Sequence, residues 1–279
     1  MSTAPVGIFD SGIGGLTVAR AIRELLPQES TIYLGDTARV PYGPKSPDTV
    51  RRYAREILDW LIRQDVKAVV VACNTATAHA LDDLRARSPV PVVGVIEPGA
   101  RAAALATATG RIGVIGTAGT VASGAYVRAL LRERSDLRVV AQACPLFVPL
   151  VEEGWFDHPA TQLVAEEYLS SLRAADIDAL VLGCTHYPML APLLRRIMGP
   201  SVQLIDSARE TARELARVLA GAGLAAPGDT TASPRWIATD DAARFARVGA
   251  VFMGSALAAV EIVEPATVEL LTERFEPNR

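Results

Sequence analysis

Two cysteines of this sequence stand directly after apolar segments that predict buried β-strands. Cys73 follows residues 68–72, and Cys184 follows residues 179–183. The next residues are polar in both cases: Asn74 and Thr75 after the first cysteine, Thr185 and His186 after the second. A thiol has a free pKa of about 8.5, which a helix N-terminus or a cation can lower. Two thiols on opposite sides of one carbon could remove a proton from one face and return it to the other, which inverts a stereocentre.

Cysteine has three other common roles, which can be compared with this pattern. A structural disulfide framework does not suit the odd count of three, Cys73, Cys144 and Cys184. A redox-active disulfide between Cys73 and Cys184 is an alternative, which the absence of a C-x-x-C spacing disfavours. The commonest role of an isolated cysteine is that of a small buried hydrophobe. We assign this role to Cys144, which lies between Ala143 and Pro145.

The lysines, histidines and glycines argue against a cofactor or a metal ion. The only lysines are Lys45, in a proline-rich segment, and Lys67, at the start of an apolar strand. Neither position favours a Schiff-base cofactor. The three histidines show no zinc-site spacing, and the glycine-rich segment 12–17 does not complete G-x-G-x-x-G. We therefore predict chemistry with no cofactor and no metal.

The overall composition is that of a globular protein with a large core. Half of the 279 residues are apolar, and 28 basic residues nearly balance 31 acidic ones. These values disfavour a disordered chain and a dedicated nucleic-acid-binding protein. The first residues lack the features of a signal peptide, and the most apolar segment, 248–263, is shorter than a membrane span. We expect a cytoplasmic protein with a small-molecule substrate and neither a membrane nor a nucleic-acid partner.

Short β-branched segments alternate with longer helical patterns, which indicates an α/β fold with parallel strands. The strand at 67–72 is almost wholly apolar, as expected where helices cover both faces of a sheet. The segment 97–99, Glu-Pro-Gly, predicts a boundary between two parts of the fold. The other elements predicted around these are strands at 6–9, 31–34, 92–96 and 202–205, and helices at 17–26, 48–64, 100–108 and 208–219.

The pattern of strands occurs twice along the chain. Three pairs of segments match in the same order: 6–11 with 112–117, 31–34 with 138–141, and 68–73 with 179–184. We infer two pseudo-symmetric α/β domains with mainly parallel central sheets and an active site in the cleft between them. The first domain is predicted to comprise residues 1–97 plus 208–279, since the C-terminal part should return to it. The second domain is predicted to comprise residues 98–207.

Further segments with chemical potential follow the first two strands. Asp10 and Ser11 precede the glycine-rich turn, where free N–H groups at a helix start suit a small carboxylate. The segment 39–47 is rich in Pro and Gly and could form a rigid wall of the cleft, and an exposed turn fits its composition equally well. Ligands bind at the carboxyl ends of parallel strands. We therefore predict that these segments and the two cysteines meet at one site.

At these residues the sequence resembles the glutamate racemases, which are cofactor-independent enzymes of the aspartate/glutamate racemase superfamily. The resemblance covers nearly the whole chain, and its motifs are specific in combination. The matching segments are GIFDSGIGGLTV at 7–18, YLGD at 33–36, PYG at 41–43, ACNTAT at 72–77, PLVE at 149–152 and LGCTHYP at 182–188. The resemblance implies an isomerase that interconverts L- and D-glutamate. Its product would supply peptidoglycan synthesis, and so cell-wall biogenesis and cell shape.

The resemblance also implies a role for each residue that matches the family's motifs. Cys73 and Cys184 are implied to be the two proton donors and acceptors, one for each enantiomer. Asp10 is implied to support Cys73, and Glu152 and His186 are implied to support Cys184 by hydrogen bonding and proton relay. The residues implied to bind glutamate are Asp10, Ser11, Pro41, Tyr42, Gly43, Asn74, Thr75, Thr185 and His186. No cofactor or metal is implied, and we expect a homodimer.

Other functions stay open at this point. An aspartate or hydantoin racemase of the same superfamily is the nearest alternative. A decarboxylase variant is disfavoured because it would keep only one of the two thiols. A redox protein that uses the thiols as a disulfide pair and a non-catalytic binding protein are alternatives from other classes.

Overall fold

The strands of the chain form two parallel sheets in the computed structural model, which describes residues 1–264. One sheet contains β1 (Val6–Asp10), β2 (Thr31–Gly35), β3 (Ala68–Val71), β4 (Val92–Gly94), β9 (Pro234–Ala238) and β10 (Val260–Ile262). The other sheet contains β5 (Arg111–Gly116), β6 (Arg138–Ala143), β7 (Ala179–Gly183) and β8 (Gln203–Asp206). We refer to the residues packed around the six-stranded sheet as the first lobe and to those around the four-stranded sheet as the second lobe.

Helices connect the parallel strands and cover the sheets, as crossover connections require. Those that precede β6 are α1 (Leu16–Leu25), α2 (Pro47–Ile62), α3 (Asn74–Arg87), α4 (Ile96–Ala106), α5 (Ala118–Ala122) and α6 (Ala125–Glu133). Those that follow it are α7 (Phe147–Glu152), α8 (Pro159–Ala174), α9 (Ala191–Met198), α10 (Ser207–Gly221) and α11 (Ala242–Met253), with a 3₁₀ turn at Tyr187–Leu190. All residues of strands β1, β3 and β7 are buried, as their largely apolar sequences predict.

The two sheets share one strand order. The first runs β10-β9-β2-β1-β3-β4, and the second runs β6-β5-β7-β8. The strands β2-β1-β3-β4 therefore correspond one by one to β6-β5-β7-β8, and all of these neighbours pair in parallel. This agreement confirms the predicted duplication and the predicted fold class of two pseudo-symmetric α/β units.

The register of the strands brings their carboxyl ends to one edge of each sheet. In the first sheet Asp10 lies beside Gly35, and Phe9 lies beside Val71. In the second sheet Gly116 pairs with Gly183. The turns that follow these residues carry the motifs singled out in the sequence, so the fold gathers them where ligands bind in open parallel sheets.

Most predicted elements are confirmed to within two residues, but the boundary predicted at 97–99 lies inside a helix. Helix α4 begins at Ile96 and continues through Pro98 and Gly99. Pro98 lies in the first turn, where its missing N–H would have no partner within the helix. Gly99 permits a close approach, because a Cβ there would lie 3.0 Å from Cβ of Ser207. The boundary predicted between residues 97 and 98 therefore falls inside a helix.

Two strands from the C-terminal part of the chain pack in the first lobe. Strand β9 pairs in parallel with β2, and β10 pairs with β9, so both extend the first sheet. The last residues assigned to the first domain, 265–279, lie outside the described residues. The segment 248–263 contains the end of α11 and strand β10. Within residues 1–264, none of the helices is long and apolar enough to cross a membrane.

Candidate active site

The two cysteines predicted to act on one carbon occupy equivalent positions in the two lobes. Cys73 lies between β3 and α3, and Cys184 directly follows β7. Each residue is only 6% exposed. The turn at residues 11–14 reaches both of them: Oγ of Ser11 lies 3.8 Å from Sγ of Cys73, and a Cβ at Gly14 would lie 2.3 Å from Oγ1 of Thr185, the residue after Cys184. The third cysteine, Cys144, is fully buried, as its assignment to the core predicts.

Cys73 is the N-cap of α3, and burial dominates its acidity. Its Sγ accepts a hydrogen bond from the N–H of Ala76 at 3.4 Å and lies 3.8 Å from Oγ of Ser11. Burial, reinforced by the negative charge of Asp10, raises the pKa of Cys73 to about 12 and outweighs these two contacts. The sequence suggested that a helix N-terminus lowers the pKa of such a thiol. The structure shows that burial outweighs the helix N-terminus at Cys73 and favours the neutral thiol.

Asp10 lies beside Cys73 at the end of β1 and is almost fully buried. Its Oδ2 accepts a hydrogen bond from the N–H of Gly12 at 3.0 Å. Burial raises the pKa of Asp10, whereas the charge of His186 and the N–H groups of the glycine turn oppose that shift. Asp10 of the first lobe and His186 of the second therefore belong to one electrostatic site.

Cys184 is supported by a chain of charged groups. Its Sγ lies 3.8 Å from Nδ1 of His186, and Nε2 of His186 lies 3.0 Å from Oε1 of Glu152. Burial lowers the pKa of His186, but the interactions with Cys184 and Glu152 outweigh it and raise the pKa to about 10. Burial raises the pKa of Glu152, but His186 and Arg244 reverse the balance and lower it. His186 is therefore an imidazolium at neutral pH, paired with a carboxylate.

The two lobes touch closely around the cysteines. Oγ1 of Thr17 donates to the carbonyl of Thr185 at 3.2 Å, directly beside Cys184. Near Cys73, the hydroxyls of Thr75 and Thr117 lie 2.9 Å apart. The N–H of Gly119 also donates to the carbonyl of Gly43 at 2.9 Å. These contacts bring polar groups of both lobes next to the two cysteines.

Of the predicted wall residues, Gly43 contacts the second lobe, Pro41 is exposed, and Tyr42 packs in the core of the first lobe. Tyr42 is fully buried, and its hydroxyl donates to the carboxylate of Asp36. Asp36 also binds Arg39 through its Nε at 2.8 Å. Since the phenol is engaged, the groups that this wall offers to a ligand are the backbone groups of residues 41–43.

The residues weighed for cofactors are placed away from this cleft or in other roles. Lys67 is buried at the start of β3, where its Nζ donates to the carbonyl of Ser2 at 2.7 Å and pairs with Glu29. It therefore lies at the opposite end of the strand from Cys73. Across residues 1–264, no group of three or more His, Cys, Asp or Glu side chains is arranged to hold a metal ion. A cavity of about 130 Å³ opens at the mouth of the cleft, lined by Gly12, Glu152 and Arg244 among others.

Three residues beside the site were not identified from the sequence. Thr117 corresponds to Ser11 in the internal repeat, so a strict comparison of the two halves would have found it. Tyr126, which donates to Asn74 at 2.7 Å, and Arg244, which donates to Glu152 at 3.0 Å, carry no local signal. Both reach the site from helices that are remote in sequence, and only the packing of the lobes reveals them.

The chain is similar to racemases along most of its length. A family model described as Asp/Glu/Hydantoin racemase matches residues 16–215. A glutamate racemase from Geobacter metallireducens is 54% identical over 252 residues, which cover 90% of this chain and 93% of the relative. A glutamate racemase isoform from Bacillus anthracis has a TM-score of 0.92 and 40% identity, covering 95% of this chain and 99% of that one. A glutamate racemase from Francisella tularensis, solved in complex with D-glutamate, has a TM-score of 0.88 and 36% identity, covering 95% and 98%.

The duplicated fold and these similarities place the chain among the amino-acid racemases, which are isomerases. Most of the residues that carry the resemblance stated from the sequence lie at the ends of strands or in the turns that follow them. The chain belongs to the Asp/Glu/hydantoin racemase family, and its relatives within that family are glutamate racemases.

Proposed function

We propose that the chain interconverts L- and D-glutamate by proton transfer between the α-carbon and two thiols, Cys73 and Cys184. One observation carries this proposal. The two cysteines follow equivalent strands of two sheets with the same order, and hydrogen bonds between the two lobes lie beside each of them. The D-glutamate formed would serve peptidoglycan synthesis.

The proposed reaction needs one thiolate and one thiol at each turnover. The thiolate on one side removes the α-proton and becomes a thiol, while the opposite thiol donates its proton to the other face and becomes a thiolate. The carbon is inverted, and the enzyme is left in the opposite protonation state. No electron sink takes part, so the carbanion-like transition state must be stabilised by preorganised donors in a site that excludes water.

Each thiol has its own supporting groups in this proposal. On the Cys73 side, the α-ammonium of glutamate bound near Asp10 would offset the negative charge that adds to burial in raising the pKa of Cys73, which favours the Cys73 thiolate. On the Cys184 side, the His186 imidazolium stabilises a thiolate directly, and Glu152 keeps the imidazole charged. In this proposal the substrate stabilises the Cys73 thiolate, whereas the protein itself stabilises the Cys184 thiolate.

The substrate carboxylates are proposed to bind at the starts of helices. The first residues of α3, Asn74 and Thr75, are buried, and the N–H groups of a first helical turn have no partner within the helix. The other groups proposed to contact glutamate are Ser11, Thr185, His186 and the backbone of residues 41–43. We further propose a homodimer in the cytoplasm with no nucleic-acid partner, and its mass in solution tests the dimer.

Exchange of the α-proton with solvent deuterium tests the two-thiol mechanism. L- and D-glutamate have equal free energies in water, so kcat/KM must be equal in both directions for every variant. Rates of racemisation alone therefore cannot assign a thiol to an enantiomer. In Cys73→Ser and Cys184→Ser we expect racemisation to fall by about 10³-fold, within the range for loss of a general acid or base. Each variant should still exchange the α-proton of one enantiomer, and the two should retain opposite enantiomers.

The third cysteine provides the matched control. Cys144→Ala removes a buried thiol outside the cleft and should leave racemisation within about twofold of the wild-type rate. Wild-type activity in both Cys73→Ser and Cys184→Ser would exclude the proposed mechanism. Faster turnover of aspartate than of glutamate would instead correct the substrate. Peptide mapping after mild oxidation tests the redox alternative, which predicts a bridge between Cys73 and Cys184.

A further inference from the structure

Tyr126 reaches from the second lobe to the first and binds the side chain that follows Cys73. It lies in α6, is 3% exposed, and its hydroxyl donates to Oδ1 of Asn74 at 2.7 Å. We propose that Tyr126 is a positioning residue that fixes the Asn74 carboxamide, so that the amide nitrogen is presented to a carboxylate of the substrate. This inference rests on the proposed function and adds to it a residue that the family motifs do not include.

The orientation of the Asn74 amide follows from its hydrogen bond with the phenol. A phenol has one proton, and the hydroxyl of Tyr126 donates it to the carboxamide oxygen of Asn74, Oδ1. The amide group of Asn74 is thereby turned away from Tyr126.

The amide nitrogen of Asn74, Nδ2, is a buried hydrogen-bond donor, and no acceptor faces it within residues 1–264. Asn74 is 3% exposed, and its Nδ2 has no hydrogen-bond partner in the part of the chain that the structure describes. Buried side-chain donors are almost always paired, because an unpaired one loses its bonds to water without replacement. An unpaired amide next to Cys73 indicates a ligand that supplies an acceptor, and a carboxylate offers only acceptors.

The ring of Tyr126 also packs against Gly183, the residue before Cys184. A Cβ at Gly183, the residue before Cys184, would lie 2.9 Å from Cε2 of Tyr126. One aromatic side chain therefore contacts the residue after Cys73 and the residue before Cys184. The ring alone could serve the packing, and Phe would supply it equally well. The hydroxyl has the separate task of orienting Asn74, so the two tasks can be separated by mutation.

Tyr126→Phe tests the inference because it keeps the ring and removes the hydroxyl. The freed amide can rotate and place Oδ1 against the substrate carboxylate. We expect KM for both enantiomers to rise and kcat/KM to fall about tenfold, the lower end for a hydrogen bond to a charged group. Solvent deuterium exchange of both enantiomers should persist, since both thiols remain.

A double-mutant cycle with Asn74→Ala distinguishes positioning from packing. If Tyr126 acts through the amide, Tyr126→Phe should cause no more than a twofold further loss in the Asn74→Ala background. The thermal shift that D-glutamate produces should show the same non-additivity, which keeps the test valid if the variant is less stable. Tyr168→Phe is the matched control, because its hydroxyl accepts the N–H of Leu146 at 3.4 Å outside the cleft.

The outcomes of this experiment are distinct from those for the proposed function. An unchanged KM in Tyr126→Phe, or additive losses in the double variant, would overturn the positioning role while leaving the racemase mechanism intact. A wild-type chain without racemisation would overturn the proposed function. A loss in Tyr168→Phe as large as in Tyr126→Phe would show that general destabilisation is responsible, which also contradicts the inference.

Discussion

Arg244 and Glu152 join the two lobes at the mouth of the cleft. A guanidinium nitrogen of Arg244, on α11, lies 3.0 Å from Oε2 of Glu152, the last residue of α7. The other carboxylate oxygen of Glu152 faces Nε2 of His186, also at 3.0 Å. One carboxylate thus links a helix of the C-terminal return to the imidazolium beside Cys184. We therefore expect the protonation of Cys184 to depend on this contact with the first lobe.

Arg244→Ala should weaken the support of Cys184 at low pH. The charge of Arg244 helps to lower the pKa of Glu152, so its removal raises that pKa. We expect the acidic limb of the kcat/KM profile to move to higher pH. At neutral pH the loss should be only about threefold, because Arg244 is exposed and solvent screens its charge. The pH dependence of racemisation, measured at low and high salt, tests this.

The matched control for this prediction is Arg247→Ala, which removes an exposed arginine from the same helix. Its profile should follow that of the wild type. The same acidic limb in Arg244→Ala and the wild type would show that Glu152 does not depend on Arg244. An equal displacement in both arginine variants would point to net charge instead.

The raised pKa of His186 predicts a dependence of stability on pH. Its pKa is about 10 in the folded chain and about 6.5 when unfolded, so the folded state holds the proton more tightly. The contribution to stability is fully present below pH 6.5 and is lost as the pH rises towards 10. The slope from this one group can reach about 1.4 kcal/mol per pH unit. Urea unfolding of the wild type and His186→Gln between pH 6 and 10 should show a shallower decline in the variant, and parallel declines would contradict the assignment.

The periodicity of the chain made the fold predictable. Short apolar strands followed by helical patterns located β1, β2 and β3, and the repeat of those segments located β5, β6 and β7. The end of an apolar strand is a local signal, so Cys73 and Cys184 were found from the residues around each. The topology places both where equivalent strands end, as the repeat in the sequence predicts.

The parts of the site that the sequence did not reveal depend on contacts between distant elements. Tyr126 and Arg244 lie in helices whose local sequence shows only an amphipathic surface. The raised pKa of Cys73 has the same origin, because the helix N-terminus at Cys73 is visible in the sequence, whereas its burial beside Asp10 is not. The boundary predicted at 97–99 lies inside helix α4 for a similar reason. Pro and Gly usually end helices, but Pro98 lies in the first turn and Gly99 meets Ser207 at close range.

Gly14→Ala should disable the site by steric contact across the lobes. A Cβ at Gly14 would lie 2.3 Å from Oγ1 of Thr185 and 2.4 Å from Cε1 of His186, so either the turn or His186 must move. Displacement of a catalytic group by about 1 Å costs on the order of 10²-fold in rate, and we expect a loss of that size in kcat/KM. Gly12→Ala in the same turn meets only Val40, at 3.3 Å, and should lose less than about threefold. If Gly14→Ala keeps wild-type activity, the close contact between the glycine turn and His186 is not needed for turnover, and the proposed dependence of Cys184 on the first lobe fails with it.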